Sequence, residues 1–140
     1  MYAKILVPID LHEDGCGQHA LSVAIQLAKG EDAEIHLLTI IHAGPAVVAQ
    51  FLPGGYEQQV SGKVKSELDE LASGLDLEEG KVTTSVRFGG VYQEILAYAE
   101  KVGADLIVVG SHQPGVADYL LGSNAARVVR HAKRSVFVVR

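Results

Sequence analysis

The chain has 140 residues, 48% apolar and 21% charged, with 12 basic and 17 acidic side chains and a net charge of −5. A chain of this length and apolar share can bury a core without staples, which argues against disorder, and its acidic balance argues against nucleic-acid binding by bulk charge. Its apolar runs all fall short of the 18 residues a membrane-spanning helix needs, and its single cysteine, Cys16, excludes an internal disulfide and fits a reducing cytoplasm.

In chain order, Ile5-Leu6-Val7-Pro8-Ile9 is a short apolar run with β-branched content that ends at Asp10, and it predicts a first strand over residues 3–9. The run is too short for the apolar region of a secretion signal, so none is expected. Ala20, Leu21, Ala24, Ile25 and Ala28 share one face of a helix over 18–29, with Gly30 expected as its stop. Ile35 to Ile41 predicts a second strand. Gly44, Pro45, Pro53, Gly54, Gly55 and Tyr56 mark a loop over 43–56, long enough to suggest a lid or a partner surface. Val60, Val64, Leu68, Leu71 and Leu75 then repeat at helical spacing.

Val82, Thr84, Val86 and Phe88 alternate with Thr83, Ser85 and Arg87, which predicts a third strand over 82–88 with one wet face, at a sheet edge. Val91, Ile95, Ala99 and Val102 mark a third helix stopped by Gly103. Leu106 to Val109 is a fourth strand. Residues 123–132 form a fourth helix with Ala125, Val128, Val129 and Ala132 inward, and Val136 to Val139 is a fifth strand. The cations Arg127, Arg130, His131, Lys133 and Arg134 fall where a helix C-terminus favours positive charge.

Five strands alternating with four helices predict one α/β domain over residues 1–140: an open parallel sheet with helices on both faces. The half-wet third strand belongs at one edge, so the expected order is 3-2-1-4-5. That order reverses between strands one and four. Ligands bind outside the carboxyl ends of strands at such a point, here Pro8-Ile9-Asp10 and Gly110-Ser111-His112. The apolar fifth strand lies at the other edge. An apolar edge is an aggregation hazard unless covered, and a twofold partner pairing there to make a homodimer is the simplest cover; a loop of the same chain is the alternative.

The segment after strand four has glycines at 110, 115 and 122, and Gly122-Ser123-Asn124 opens the fourth helix. A helix N-terminus offers N–H donors and positive dipole charge to a phosphate, and glycine permits close approach. A Ser or Asn there also serves simply as a helix cap. Location at the switch point favours phosphate. Neither a G-K-[ST] loop nor a G-x-G-x-x-G after strand one occurs. His12 and His112, one on each of two loops, do not make a metal-ligand set.

Over its whole length the chain resembles the universal stress protein family, through ILVPID at 5–10, LIVVGSH at 106–112, YLLGSNAARVVRHA at 119–132 and the closing SVFVV. The family pattern after strand four is G-x2-G-x9-G-[ST], and members that keep it bind ATP. Gly110, Gly122 and Ser123 match its first glycine, last glycine and hydroxyl. Gln113 stands where the second glycine belongs, Pro114 follows it, and the spacing to Gly122 is one residue short.

The resemblance implies an adenine nucleotide alpha hydrolase-like fold and a cytoplasmic stress-response module binding ATP with Mg²⁺, or AMP or ADP. It implies a homodimer, or a tetramer built from it; the charge balance and the short apolar runs lead us to expect neither a nucleic acid nor a membrane as partner. Pro8 and Ile9 would wall the base, and Asp10 would contact the ribose or a phosphate-bound Mg²⁺. Ile40 or Ile41 would touch adenine through the backbone. Gly110, Gly122, Ser123, Asn124 and Ala125, beside Ser111 and His112, would hold ribose and phosphates. A slow ATP hydrolase or nucleotidyl transferase and a nucleotide-free interaction protein remain alternatives; an electron carrier is least favoured, since no flavin loop is recognisable.

Overall fold

Strands form where short β-branched and apolar runs are buried on both faces, and helices where one apolar stripe recurs every three or four residues. The computed structural model describes residues 1–11, 16–42, 54–111 and 122–140. Its elements are β1 (Lys4–Pro8), α1 (Cys16–Glu31), β2 (Glu34–Ile41), α2 (Tyr56–Ser73), β3 (Val82–Phe88), α3 (Val91–Val102), β4 (Leu106–Gly110), α4 (Ser123–His131) and β5 (Ser135–Val139). All strand pairs are parallel and the order is β3-β2-β1-β4-β5, as the alternation pattern predicts.

The core lies in two layers. Ile5 and Val7 of β1 and Leu106 and Val108 of β4 face α1 and α2, where they meet Ala20, Ala24, Ala28 and Leu68. Leu6, Ile107 and Val109 face the opposite way, onto Ile95, Tyr98 and Ala99 of α3 and Ala125 and Val128 of α4. Leu6, Leu37, Leu38 and Ile107 are fully shielded from solvent. Burying each such side chain stabilises the fold by about 1.5–3 kcal/mol. Among the described residues no helix is long and apolar enough to cross a membrane.

Three local expectations need correction. Gly30 does not stop α1, which runs to Glu31. Asp32 takes the left-handed position instead, with φ 54°, and the Ala33 N–H closes on the Ala28 carbonyl at 2.9 Å. Aspartate tolerates that backbone because its short carboxylate can bond locally. Gly103 does stop α3, at φ 70°.

Strand β3 lies at the edge, yet its polar face is not simply wet. The Ser85 and Tyr98 hydroxyls are hydrogen-bonded at 2.6 Å, and Arg87 Nε donates to Glu94 Oε2 at 2.6 Å with its guanidinium 5.8 Å from the Tyr98 ring. Polar partners on α3 let a polar strand face be half-buried without losing its hydrogen bonds. Val129 is the third correction: it is 44% exposed, and Ala125 and Val128 are the buried residues of α4. The proposed lid over 43–56 lies mostly outside the described residues; only Gly54, Gly55 and Tyr56 are described, and Tyr56 already begins α2.

Candidate functional site

The ladder between β1 and β4 holds only two pairs, Ile5↔Leu106 and Leu6↔Ile107. Both strands continue past it, to Pro8 and to Gly110. The chain after β1 leads to α1 on one face of the sheet, and the chain after β4 leads to α4 on the other. Opposite departures at a switch point pull the strand ends apart and leave a crevice. That crevice is a cleft of about 330 Å³.

Pro8, Ile9 and Asp10 line one wall, with Gly17 of α1 beside them. Gly110 and the first turn of α4 (Ser123, Asn124 and Ala125, after Gly122) line another. Leu38 and Ile40 of β2, Val91 and Ile95 of α3, Val109 and Val128 supply an apolar floor. The arrangement is thus an apolar slot that ends at one carboxylate and one helix N-terminus.

The β1 end is pinned on both sides. Ile9 N–H donates to the Leu38 carbonyl at 2.8 Å, and the buried Thr39 hydroxyl donates to the Ile9 carbonyl at 3.0 Å. Asp10, exposed at the rim, follows directly from this fixed residue. The α4 end is pinned by Ser111, which is 3% exposed. Its N–H donates to the Val139 carbonyl at 2.9 Å, and its carbonyl accepts from Gly122 N–H at 3.0 Å. That bond seats the helix start against the end of β4. Gly122 caps α4 from an extended backbone, with no side-chain cap. The N–H groups of Asn124 and Ala125 belong to the first turn, where a helix has no acceptors of its own, and both residues line the cleft.

Of the residues singled out from sequence, Pro8, Ile9, Asp10, Ile40, Gly110, Gly122, Ser123, Asn124 and Ala125 come together on this cleft. Ser111 lies behind it as a backbone clamp, and Ile41 does not line it; its carbonyl accepts from Gly89 N–H at 3.1 Å. His112, Gln113, Pro114 and Gly115 lie outside the described residues, as does His12. Cys16 opens α1, close to the cleft in sequence. Among the described residues no cluster of three or more His, Cys, Asp or Glu side chains is placed to hold a metal ion.

Sequence reasoning missed Leu38, Thr39, Val91, Ile95 and Gly17. The register Pro8↔Leu38 brings Leu38 to the cleft, and strand alternation sets Ile40 on its face. That alternation was legible; the register was not.

The family model for the universal stress protein family matches residues 1–140. Universal stress protein G of Shigella flexneri is 33% identical over 143 residues, covering 100% of both chains. Among solved structures, the hypothetical protein MJ0577 superposes with a TM-score of 0.82 at 26% identity, covering 99% of this chain and 96% of that one. A universal stress protein in complex with cAMP superposes with a TM-score of 0.70 at 25% identity, covering 99% and 97%. With the sheet order, the switch-point cleft and a match over its whole length, the chain belongs to the universal stress protein family.

Proposed function

We propose that the cleft binds an adenine nucleotide, ATP with Mg²⁺ or its products ADP and AMP, and that the protein is a cytoplasmic stress-response module reporting nucleotide state. One observation carries this reading: an apolar slot, a rim carboxylate and a helix N-terminus meet in one cleft of about 330 Å³. These are the complements of a base, a ribose or metal, and a phosphate chain. The related universal stress protein that holds cAMP is bound to the same three chemical parts, base, ribose and phosphate.

In this reading Pro8 and Ile9 wall the base, with Ile40 across the slot and the backbone at Ile40 or Ile41 touching its edge. Asp10 takes the ribose hydroxyls or a phosphate-bound Mg²⁺. Gly110 lies beneath the phosphates, Ser111 behind it clamps the helix start that holds them, and His112 follows in sequence. The N–H groups of Asn124 and Ala125, with the Ser123 hydroxyl, receive phosphate oxygens. Mg²⁺, when bound, neutralises phosphate charge; the chain itself binds and orients the nucleotide. The same reading makes the outer edge of β5 the seat of a homodimer.

The test is mass spectrometry of small molecules released when the purified protein is denatured. An adenine nucleotide near one per chain is expected. A protein that releases none, and takes up none after incubation with millimolar ATP and Mg²⁺, contradicts the proposal.

A further inference from the structure

Charge is divided between the two ends of the sheet. Four connections leave the carboxyl ends of β1 to β4, over 9–15, 42–55, 89–90 and 111–122. In sequence they hold four carboxylates, Asp10, Glu13, Asp14 and Asp118, and neither lysine nor arginine. In the connections at the opposite end those cations do occur, as Lys81, Lys133 and Arg134. The first of the four starts at Ile9 and Asp10 and returns at Gly17; the last leaves Gly110 and ends at Gly122. All five of these residues line the cleft.

Among the described residues, the cleft lining holds no lysine or arginine either. Arg87, near the end of β3, donates to Glu94 at 2.6 Å, and Arg127, one turn into α4, lies 5.4 Å from the Tyr92 ring. An anion in the cleft is therefore met by backbone N–H groups rather than by a side-chain cation. At α4 that seat is short. The Gly122 N–H is spent on the Ser111 carbonyl at 3.0 Å, and the Ala126 N–H closes on the Gly122 carbonyl at 2.9 Å. The donors of Asn124 and Ala125 lie between those two bonds, a number suited to one phosphate. The attraction of a helix N-terminus fades beyond its first turn. A second and third phosphoryl group would extend past it, toward connections that carry carboxylates, in a chain of net charge −5.

We propose that the cleft selects for a single phosphate: a nucleoside monophosphate is its preferred ligand, and a di- or triphosphate binds more weakly unless a divalent cation cancels its added charge. This inference rests on the nucleotide reading of the cleft and sharpens it. With that preference, the nucleotide state the protein reports is the accumulation of monophosphate.

The test is isothermal titration calorimetry at about pH 8, where histidine carries little charge. Adenosine, AMP, ADP and ATP are titrated first in chelator and then with Mg²⁺. Without metal, AMP should bind more than about tenfold tighter than adenosine, through the helix donors. It should also bind about tenfold tighter than ATP, with ADP between them. Salt and Mg²⁺ should each narrow the gap between AMP and ATP. The combined variant Glu13→Gln, Asp14→Asn, Asp118→Asn should close the metal-free gap to within about threefold. Glu70→Gln, Glu78→Gln, Glu79→Gln makes the same charge change at exposed positions toward the other end of the sheet, and should leave the gap as it is. ATP binding as tightly as AMP without metal, a gap that Mg²⁺ leaves unchanged, or equal narrowing by the second variant overturns the preference and leaves the nucleotide reading standing. Adenosine binding as tightly as AMP, or no binding of any of the four with or without Mg²⁺, overturns both.

Discussion

Replacing Gly122 with valine separates the role of this glycine in binding from its role in folding. Its backbone, at φ −60° and ψ 152°, is one that any residue adopts, so valine introduces no backbone strain there. The folding cost is the loss of a favourable N-cap, about 1 kcal/mol. A domain of this size loses about 2–4 °C of Tm for each kcal/mol, so the variant without ligand should melt only that much lower. The binding cost is larger. Gly122 lines the cleft beside Ser123 and Asn124, and three added carbons there hold a phosphate away from the first-turn N–H groups. Losing two charge-assisted hydrogen bonds at about 1.5 kcal/mol each weakens binding by more than about 100-fold. ATP at 100 times its Kd stabilises the unmutated protein by about 2.7 kcal/mol, or roughly 5–10 °C. At the same concentration the variant should gain only about 1–2 °C. Thermal melts of both proteins, with and without ATP and Mg²⁺, measure all four values. A variant that keeps the full ligand shift refutes the phosphate seat. A ligand-free variant that melts more than about 10 °C lower shows instead that the glycine is structural.

Three other expectations follow from the same geometry. ATP turnover should stay below about one per second, because the described cleft has one carboxylate, Asp10, and no lysine or arginine to stabilise a transferring phosphoryl group; faster phosphate release that is lost in Asp10→Ala reverses this. Val138→Pro should shift a dimer to monomer by light scattering while sparing the fold: the Val139 carbonyl accepts from Ser111 N–H, so alternation turns the Val138 N–H to the open edge of β5. Loss of the whole fold in that variant, or an unmutated protein that is monomeric at micromolar concentration, contradicts it. On acidification, hydrogen bonds from Lys65 and then Thr84 hold the Asp69 carboxyl below the ordinary aspartate range. Its contribution to stability is therefore present above about pH 4 and is lost as pH falls further. Asp69→Asn should flatten the acid limb of a stability–pH curve by no more than about 0.5 kcal/mol, since both partners are half-exposed. A steeper acid limb in the variant has the wrong sign.

The topology was legible because each strand and helix carries its own period, and because Thr83, Ser85 and Arg87 set β3 at an edge. What covers those residues was not: Tyr98 and Glu94 lie on a helix whose polar positions read as solvent-facing until the helix is docked. Gly30 misled because glycine is the commonest stop, whereas the left-handed turn fell two residues later on Asp32. Val129 misled because it lies at the border of the apolar stripe centred on Ala125 and Val128, and sequence does not say how far round the helix that stripe is covered. At the cleft, the residues at strand ends and at the helix start could be placed from the switch-point rule alone. Leu38 and Thr39 could not, since they act across β2 by register, through the Ile9 backbone. Ser111 reads as a ligand residue by position, yet its backbone groups join β5 to the start of α4.

Amide chemical-shift mapping of the isotope-labelled protein, titrated with ATP and Mg²⁺, tests the central claim most directly, since it reports binding and location together. Saturable shifts are predicted at Ile9, Asp10, Gly110 and Gly122 through Ala125, with the largest at Asn124 and Ala125. The far end of the sheet, around Lys29, Asp32, Asp76 and Lys81, should stay unmoved. No shift at millimolar ATP, or shifts centred on that far end, would contradict the account.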